Sequence, residues 1–111
     1  EDMAHRYLVL GKYTAQGLAG ALQEGFQSRH DNIANAVKSL GGKLIDYSFC
    51  AGEYDFTILT EWDDETKALV LQMVAGSHGS VSSQTIRLLT ATEMDQSRAH
   101  IPNVKWSAPG K

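Results

Sequence analysis

Two carboxylates stand two residues apart in the stretch Gly52-Glu53-Tyr54-Asp55-Phe56, at a turn that leads into an apolar strand. In extended backbone, residues two apart point to the same side. Such a pair can divide acid and base roles when the environment favours the proton on one member. The alternative is that Glu53 is solvated at the turn and Asp55 hydrogen-bonds a neighbour. Asp55 is the stronger catalytic candidate of the two, because an unpaired charge inside a strand is costly.

A histidine and several phenols could also contribute to a site. His78 lies in a predicted polar loop, where an imidazole could act as a general base, although such loops also occur in ordinary helix-to-strand connections. If the space between sheet and helices is hollow, polar side chains at its mouth could bind a small polar or aromatic ligand. The alternative is that the tyrosines belong to the core and expose only their hydroxyls. The predicted ligand-binding residues are Lys12, Tyr13, Tyr47, Glu53 and Tyr54.

The sequence contains no motif for a metal or cofactor. Its four histidines are scattered, without the i, i+4 spacing or the neighbouring carboxylates of a metal site. We therefore predict no metal and no cofactor, although a site assembled from distant positions would leave no such pattern. The single cysteine, Cys50, has no Lys or Arg beside it and is interpreted as a buried, unreactive thiol.

Composition limits the class of protein. At 111 residues the chain has the length of one domain with its own core. A net charge of −3 without a basic run argues against a nucleic-acid partner. No apolar run approaches the roughly 18 residues of a membrane span, and no signal peptide opens the chain. A cytoplasmic protein of bacterial type is the simplest interpretation, with Glu1 and Asp2 as remnants before a natural start at Met3.

The first half of the chain predicts a strand, a loop and a helix. Residues 6–13 predict a strand with apolar side chains on both faces, as in a strand buried on both sides. Residues 14–27 repeat leucine and phenylalanine every four positions but contain three glycines that disfavour a helix, so we predict a loop with a broken helical turn. Ser28 and Asp31 then have capping-box spacing, which predicts a helix that ends at Gly41-Gly42.

The second half predicts a hairpin, a helix and a last strand. Residues 43–50 and 54–62 form the hairpin, and acidic residues 63–65 begin a helix that runs to about residue 75. Val70, Met73 and Val74 mark the inward face of that helix. Residues 81–90 form the fourth strand. The order βαββαβ predicts an α+β fold with a four-stranded antiparallel sheet, the ferredoxin-like arrangement.

The central strands predict self-association. Strands one and three are apolar on both faces, whereas both helices of such a unit cover only one face of the sheet. A monomer would leave an apolar patch that soluble monomers rarely tolerate, so we predict a homodimer, sheet against sheet.

Residues 91–99 predict a short helix. Trp106 stands alone in the polar tail that follows, which either docks on a neighbouring subunit, the favoured interpretation, or is flexible.

Three short motifs together resemble the GYD domain family: Leu10-Gly11-Lys12-Tyr13-Thr14, Leu40-Gly41-Gly42-Lys43-Leu44 and Gly52-Glu53-Tyr54-Asp55-Phe56. The resemblance runs from about Tyr7 to about Glu93 and implies a dimeric α/β barrel, without a general biochemical assignment. We take residues 4–95 as this domain, residues 96–111 as a C-terminal extension and residues 1–3 as the start.

Two hypotheses of function follow. The first is an oligomeric domain that binds a small molecule or acts as an assembly module. The second, by analogy with other dimeric α/β barrels, is a cofactor-independent isomerase, decarboxylase or monooxygenase that acts on a small organic acid or aromatic. Asp55 or His78 would then move a proton while Lys12 or a tyrosine stabilises an oxyanion. A haem-binding barrel has only the histidines in its favour.

Overall fold

A computed structural model describes residues 4–110. The expected start at Met3, after Glu1 and Asp2, lies outside these described residues. The elements are β1 His5–Tyr13, α1 Ala15–Glu24, α2 Phe26–Ser39, β2 Lys43–Phe49, β3 Phe56–Trp62, α3 Glu65–Ala68, α4 Val70–Ser77, β4 Val81–Leu88, α5 Ala91–Arg98 and a 3-10 turn at Ile101–Asn103.

The four strands form one antiparallel sheet in the order β2-β3-β1-β4. The predicted α+β, ferredoxin-like fold is confirmed, and β1 and β3 are the central pair. In β2 the register shifts between Leu44, opposite Thr60, and Asp46, opposite Leu59, so Ile45 is the extra residue of a bulge. Because of this extra residue, Leu44 lies on the same face of the sheet as Tyr47, three positions later.

The core lies between the sheet and the helices. Its fully enclosed part joins Tyr7 and Trp62 from the sheet to Val37 of α2 and Ala68 of α3. The Trp62 ring lies against Gly42, where any Cβ atom would overlap the ring. Its indole Nε1–H donates to Thr60 Oγ1 at 2.8 Å, so the buried nitrogen is satisfied.

The prediction of a loop over residues 14–27 is wrong, because most of this segment is helix α1. Thr14 caps the helix by accepting from the Gly17 backbone N–H at 3.1 Å, and its own N–H donates to the Ser80 carbonyl. A Cβ atom on Gly17 would overlap that carbonyl, so this glycine permits the close approach of α1 to β4. Capping and packing therefore outweigh the low helix propensity of glycine, which is about 1 kcal/mol per residue.

The predicted capping box at Ser28 is also wrong. Helix α2 begins two residues earlier, at Phe26, after Gly25, whose φ of 101° is one that glycine adopts most easily. The Ser28 hydroxyl instead donates to Glu24 Oε2 at 2.8 Å, and Asp31 accepts from the Gln27 amide. Because Gly25 occupies the N-cap position and has no side chain, no side-chain cap is present at the start of α2.

The second predicted helix is divided at Leu69 into α3 and α4. Of its three predicted inward residues, Val70 is half-buried, and the assignment of Met73 and Val74 is wrong. Asp64 caps α3 by accepting from the Thr66 N–H at 2.9 Å, as predicted. Met73 and Val74 are exposed, whereas Leu71 and Ala75 face the sheet. The inward stripe continues from Ala68 with helical spacing, and the predicted stripe was displaced from it by one to two residues.

The second face of the sheet carries no helix in the described chain and is called the open face. Its centre is formed by apolar side chains that are paired across strands, with Leu8 opposite both Leu59 and Ile86. Leu10 lies next to them on β1. These side chains are half-buried.

Helix α5, predicted from residues 91–99, is confirmed and starts with a complete capping box formed by Thr90 and Glu93. Glu93 also accepts from the Arg87 guanidinium at 2.9 Å and lies 3.8 Å from His5. The backbone N–H of Thr90, and after it Arg87, holds the pKa of Glu93 below its usual range. These contacts fix the direction in which α5 leaves the domain.

None of the helices within residues 4–110 has the length and apolarity needed to cross a membrane.

Candidate ligand-binding site

A cavity of about 70 Å³ lies between the sheet and the helices. Its walls are mainly apolar: Val9, Phe56 and Ile58 come from the sheet, and Ile33, Leu71 and Ala75 come from the helices. The polar side chains that reach it are Tyr13, Arg29, Tyr47, Thr60, Gln72 and Ser83. This combination of apolar walls and a few polar groups is typical of small-molecule sites.

Stacked aromatic rings build one end of the cavity. The Phe56 ring lies over Gly11 on the neighbouring strand, where a Cβ atom would overlap it. It contacts Tyr13, with ring centroids 5.2 Å apart, and Tyr47, at 6.0 Å. The Tyr47 ring also stacks on His30 at 5.6 Å. The missing side chain at Gly11 therefore makes the space in which the two tyrosines converge.

The Tyr13 hydroxyl is buried and has no hydrogen-bond partner within the described residues. Burial, and after it an interaction with the Tyr13 hydroxyl, raises the pKa of Tyr47 well above its ordinary value. The two hydroxyls are therefore close, although the contact does not have the geometry of a full hydrogen bond. Tyr47 is therefore a neutral donor at physiological pH. A buried hydroxyl without a hydrogen-bond partner lowers the free energy of unfolding by about 1–3 kcal/mol, unless a ligand or a water molecule accepts its hydrogen bond.

The other polar groups of the cavity differ in how far they are already engaged. Arg29 Nη1 lies 3.5 Å from Glu24 Oε1, which leaves most of its five N–H donors for other partners. The Gln72 amide oxygen accepts from Thr85, and Thr60 accepts from the Trp62 indole. Tyr13, Tyr47 and Arg29 are thus the groups best able to bind an acceptor oxygen.

A larger and more open groove of about 320 Å³ adjoins the cavity, and Tyr13 lines both. The groove is lined by Leu18, Phe26, Phe49, Cys50 and Asp55 in addition to Tyr13. Phe26 and Phe49 meet edge to face, with centroids 5.1 Å apart. Cys50 is exposed in this groove, so the interpretation of a buried thiol is wrong, because β2 ends at Phe49 before the chain enters the turn.

The predicted carboxylate pair is divided between two surroundings. Asp55 Oδ2 accepts from the Tyr13 backbone N–H at 2.8 Å, while the Asp55 N–H donates to the Gly11 carbonyl. Glu53 is exposed and lies 3.9 Å from the Lys12 ammonium, which also lies over the Tyr54 ring at 5.5 Å. Of the five predicted ligand-binding residues, Tyr13 and Tyr47 line the cavity, whereas Lys12, Glu53 and Tyr54 form a separate surface cluster.

His78 follows the last turn of α4 and is exposed, and it lines neither the cavity nor the groove. Within residues 4–110, no three side chains among His, Cys, Asp and Glu approach closely enough to hold a metal ion. His5 and His30 instead lie next to Glu93 and Asp31, respectively.

The family model of the GYD domain matches residues 7–97, most of the chain. The chain belongs to the GYD domain family. No curated protein matches its sequence. In this GYD domain the three motifs have visible structural roles: Gly11 lies under Phe56, Gly42 lies under Trp62, and Asp55 joins the β2–β3 turn to the end of β1.

Several residues that line the cavity and the groove were not among the predicted site residues. Arg29 precedes Ile33 by four residues and Val37 by eight, so it lies on the inward stripe of α2, a signal that the sequence does contain. Phe26 continues the four-residue repeat of Leu18 and Leu22, but only the fold shows that it meets Phe49. Gln72 and Ser83 line the cavity only because of the rotational phase of α4 and the register of β4, which the sequence does not reveal.

Proposed function

We propose that this GYD domain is a homodimeric binding protein for a small organic acid or carbonyl compound, held in the cavity between sheet and helices. The observation that carries the proposal is the buried Tyr13 hydroxyl, which makes no well-formed hydrogen bond within the described residues and lies in a mainly apolar cavity that Tyr47 and Arg29 also reach. An acceptor oxygen of a ligand would accept a hydrogen bond from this hydroxyl. Arg29 favours a carboxylate, because a guanidinium matches its two oxygens.

The cavity volume selects among ligand classes. At about 70 Å³ the cavity has less than half of the roughly 150 Å³ that accommodates benzene. A molecule of the size of acetate fits this space better than an aromatic acid does. Of the two ligand classes considered from the sequence, the small organic acid is therefore favoured over the aromatic.

Replacement of Tyr13 by Phe tests the proposal. Tyr13→Phe keeps the ring that packs on Phe56 and removes only the hydroxyl, so we expect acetate binding to weaken by about tenfold or more. The free energy of unfolding without ligand should stay the same or rise by about 1 kcal/mol, because a buried polar group without a partner is lost. Calorimetric titration and urea unfolding measure the two quantities.

Two controls make this result specific. Tyr54→Phe removes a phenolic hydroxyl outside the cavity and should leave acetate binding unchanged. Acetamide, the uncharged analogue of acetate, should bind more weakly if Arg29 recognises charge. Equal acetate affinity for wild type and Tyr13→Phe would contradict the proposed site. Native mass spectrometry of freshly purified protein, compared with its denatured mass, would identify any ligand that copurifies.

The homodimer part of the proposal is supported by the open face. Leu8, Leu10, Leu59 and Ile86 form one contiguous apolar area on β1, β3 and β4, without a covering helix in the described chain. A second copy covers such an area most simply, because a two-fold axis brings the same patch of both chains together. The hydrophobic contribution scales with the apolar area removed from water, about 25 cal/mol per Å².

A charge placed in the open face should abolish this dimer. Leu59→Lys puts an ammonium opposite Leu8, where the monomer can solvate it but a sheet-to-sheet interface cannot. We expect dissociation to increase at least a hundredfold in analytical ultracentrifugation. Asn35→Lys, on the exposed side of α2, is the control for added charge. A wild-type monomer at micromolar concentration, or a dimer that Leu59→Lys does not change, would contradict this interface.

A further inference from the structure

The groove next to the cavity suits a partner with an exposed aromatic residue. Leu18 and Phe49 are each 42% exposed there, and Phe26 is 38% exposed. The groove volume of about 320 Å³ is roughly twice the space that benzene needs, enough for the two-ring indole of tryptophan. Asp55 in its wall has acceptor positions beyond the one that Tyr13 uses, and an indole N–H is a donor.

The same chain carries such an aromatic residue at the end of its C-terminal arm, defined here as residues 91–106. Trp106 is 74% exposed, and Met94, Ile101 and Val104 on the arm are each more than half exposed. The radius of gyration is 17.6 Å, against about 13 Å for a compact domain of 100 residues, and the longest dimension is 56 Å. The arm therefore extends from the domain, with its root fixed by the contacts of Glu93.

We propose that the C-terminal arm of one copy docks on a second copy and inserts Trp106 into the groove lined by Leu18, Phe26 and Phe49. The charges are complementary, because Lys105 precedes the tryptophan while the Asp55 carboxylate lies in the groove. The arm leaves the sheet after Leu88, which is opposite Arg6, whereas the groove lies beyond the other end of β1. The arm and the groove are different surfaces of the chain. If two copies each insert their arm into the groove of the other, they form a closed dimer, whereas docking in one direction only links the copies into larger assemblies.

Docking of Trp106 has a consequence for the ligand site. Tyr13 lines both groove and cavity, so an indole in the groove would cover one wall of the cavity and restrict access to it. This consequence rests on the proposed function, but the docking itself does not. Association can be measured without any ligand, and failure of one proposal is therefore distinguishable from failure of the other.

A pair of single-site variants tests the docking from both sides. Trp106→Ala removes the inserted ring, and Leu18→Glu places a charge in the groove. Each should weaken self-association through the arm at least tenfold in sedimentation velocity across a concentration series. Leu22→Glu is the matched control, since Leu22 is on the same helix and 65% exposed but does not line the groove. Any dimer formed through the open face persists in all three variants and is lost only in Leu59→Lys.

Mixing of the two variants shows whether the contact is between chains. Trp106→Ala retains an intact groove and Leu18→Glu an intact arm, so the mixture should recover the association through the arm that is weakened in each variant alone. The fluorescence of Trp106 is obtained by subtracting the emission spectrum of Trp106→Phe from that of wild type. This difference spectrum should shift to shorter wavelength as the protein concentration rises, because docking removes the indole from water. Unchanged assembly in Trp106→Ala, equal effects of Leu18→Glu and Leu22→Glu, or no recovery on mixing would each overturn the proposal.

Discussion

Gly11→Ala should destabilise the fold by about 3 kcal/mol, although it adds a single methyl group. The new Cβ atom would overlap three atoms of the Phe56 ring. Phe56 is buried and lies between Tyr13 and Tyr47, so its ring cannot move away without displacing the walls of the cavity. Protein interiors are close-packed, and this strain would not be relieved locally.

Gly20→Ala is the matched control for that substitution. Gly20 lies inside α1, and a Cβ atom there would contact nothing within 4 Å. Because alanine favours helix over glycine, this variant should gain about 0.5–1 kcal/mol. Urea unfolding of both variants gives the comparison. Equal effects on stability would show that Gly11 is not required by the Phe56 contact, and acetate binding should fall only in Gly11→Ala.

The sheet could be predicted from sequence because its signals are local. The order βαββαβ, which follows from local periodicity, predicted β1 and β3 as the central pair, and glycine-containing motifs marked the turns beside them. The role of Asp55 was also among the alternatives considered, namely a hydrogen bond to a neighbouring backbone group. Tyr13 and Tyr47 could be named as ligand candidates because both stand on predicted strands.

The parts that could not be predicted depend on contacts between distant segments. Gly17 reads as a helix breaker until Ser80 is known to lie against it. The division at Leu69 shifts the phase of α4, so the residues that enter the cavity from this helix differ from the expected ones. The bulge at Ile45 likewise adds a residue to β2 that periodicity alone does not reveal. In each case tertiary packing decides between local alternatives of similar energy.

Trp62→Ala should cost about 3–5 kcal/mol, the largest stability loss expected for this domain. Trp62 is 2% exposed, packs with Tyr7, Val37 and Ala68, and lines the cavity. The truncation removes this packing and leaves a void next to Gly42. It also leaves Thr60 Oγ1 without its indole donor. Trp62→Phe, which keeps one ring, should lose less, and Trp106→Phe should leave the unfolding free energy of dilute protein unchanged.

The void left by Trp62→Ala also provides a test of the packing argument. It would join the existing cavity and make a space large enough for an aromatic molecule, which an apolar void can bind. Millimolar indole should therefore raise the thermal midpoint of Trp62→Ala, because a ligand that binds only the folded state stabilises it by mass action. Wild type should show a smaller shift, since Trp62 occupies that space. If indole shifted both proteins equally, it would be binding elsewhere, and Trp62 would not be the residue that limits the cavity to small ligands.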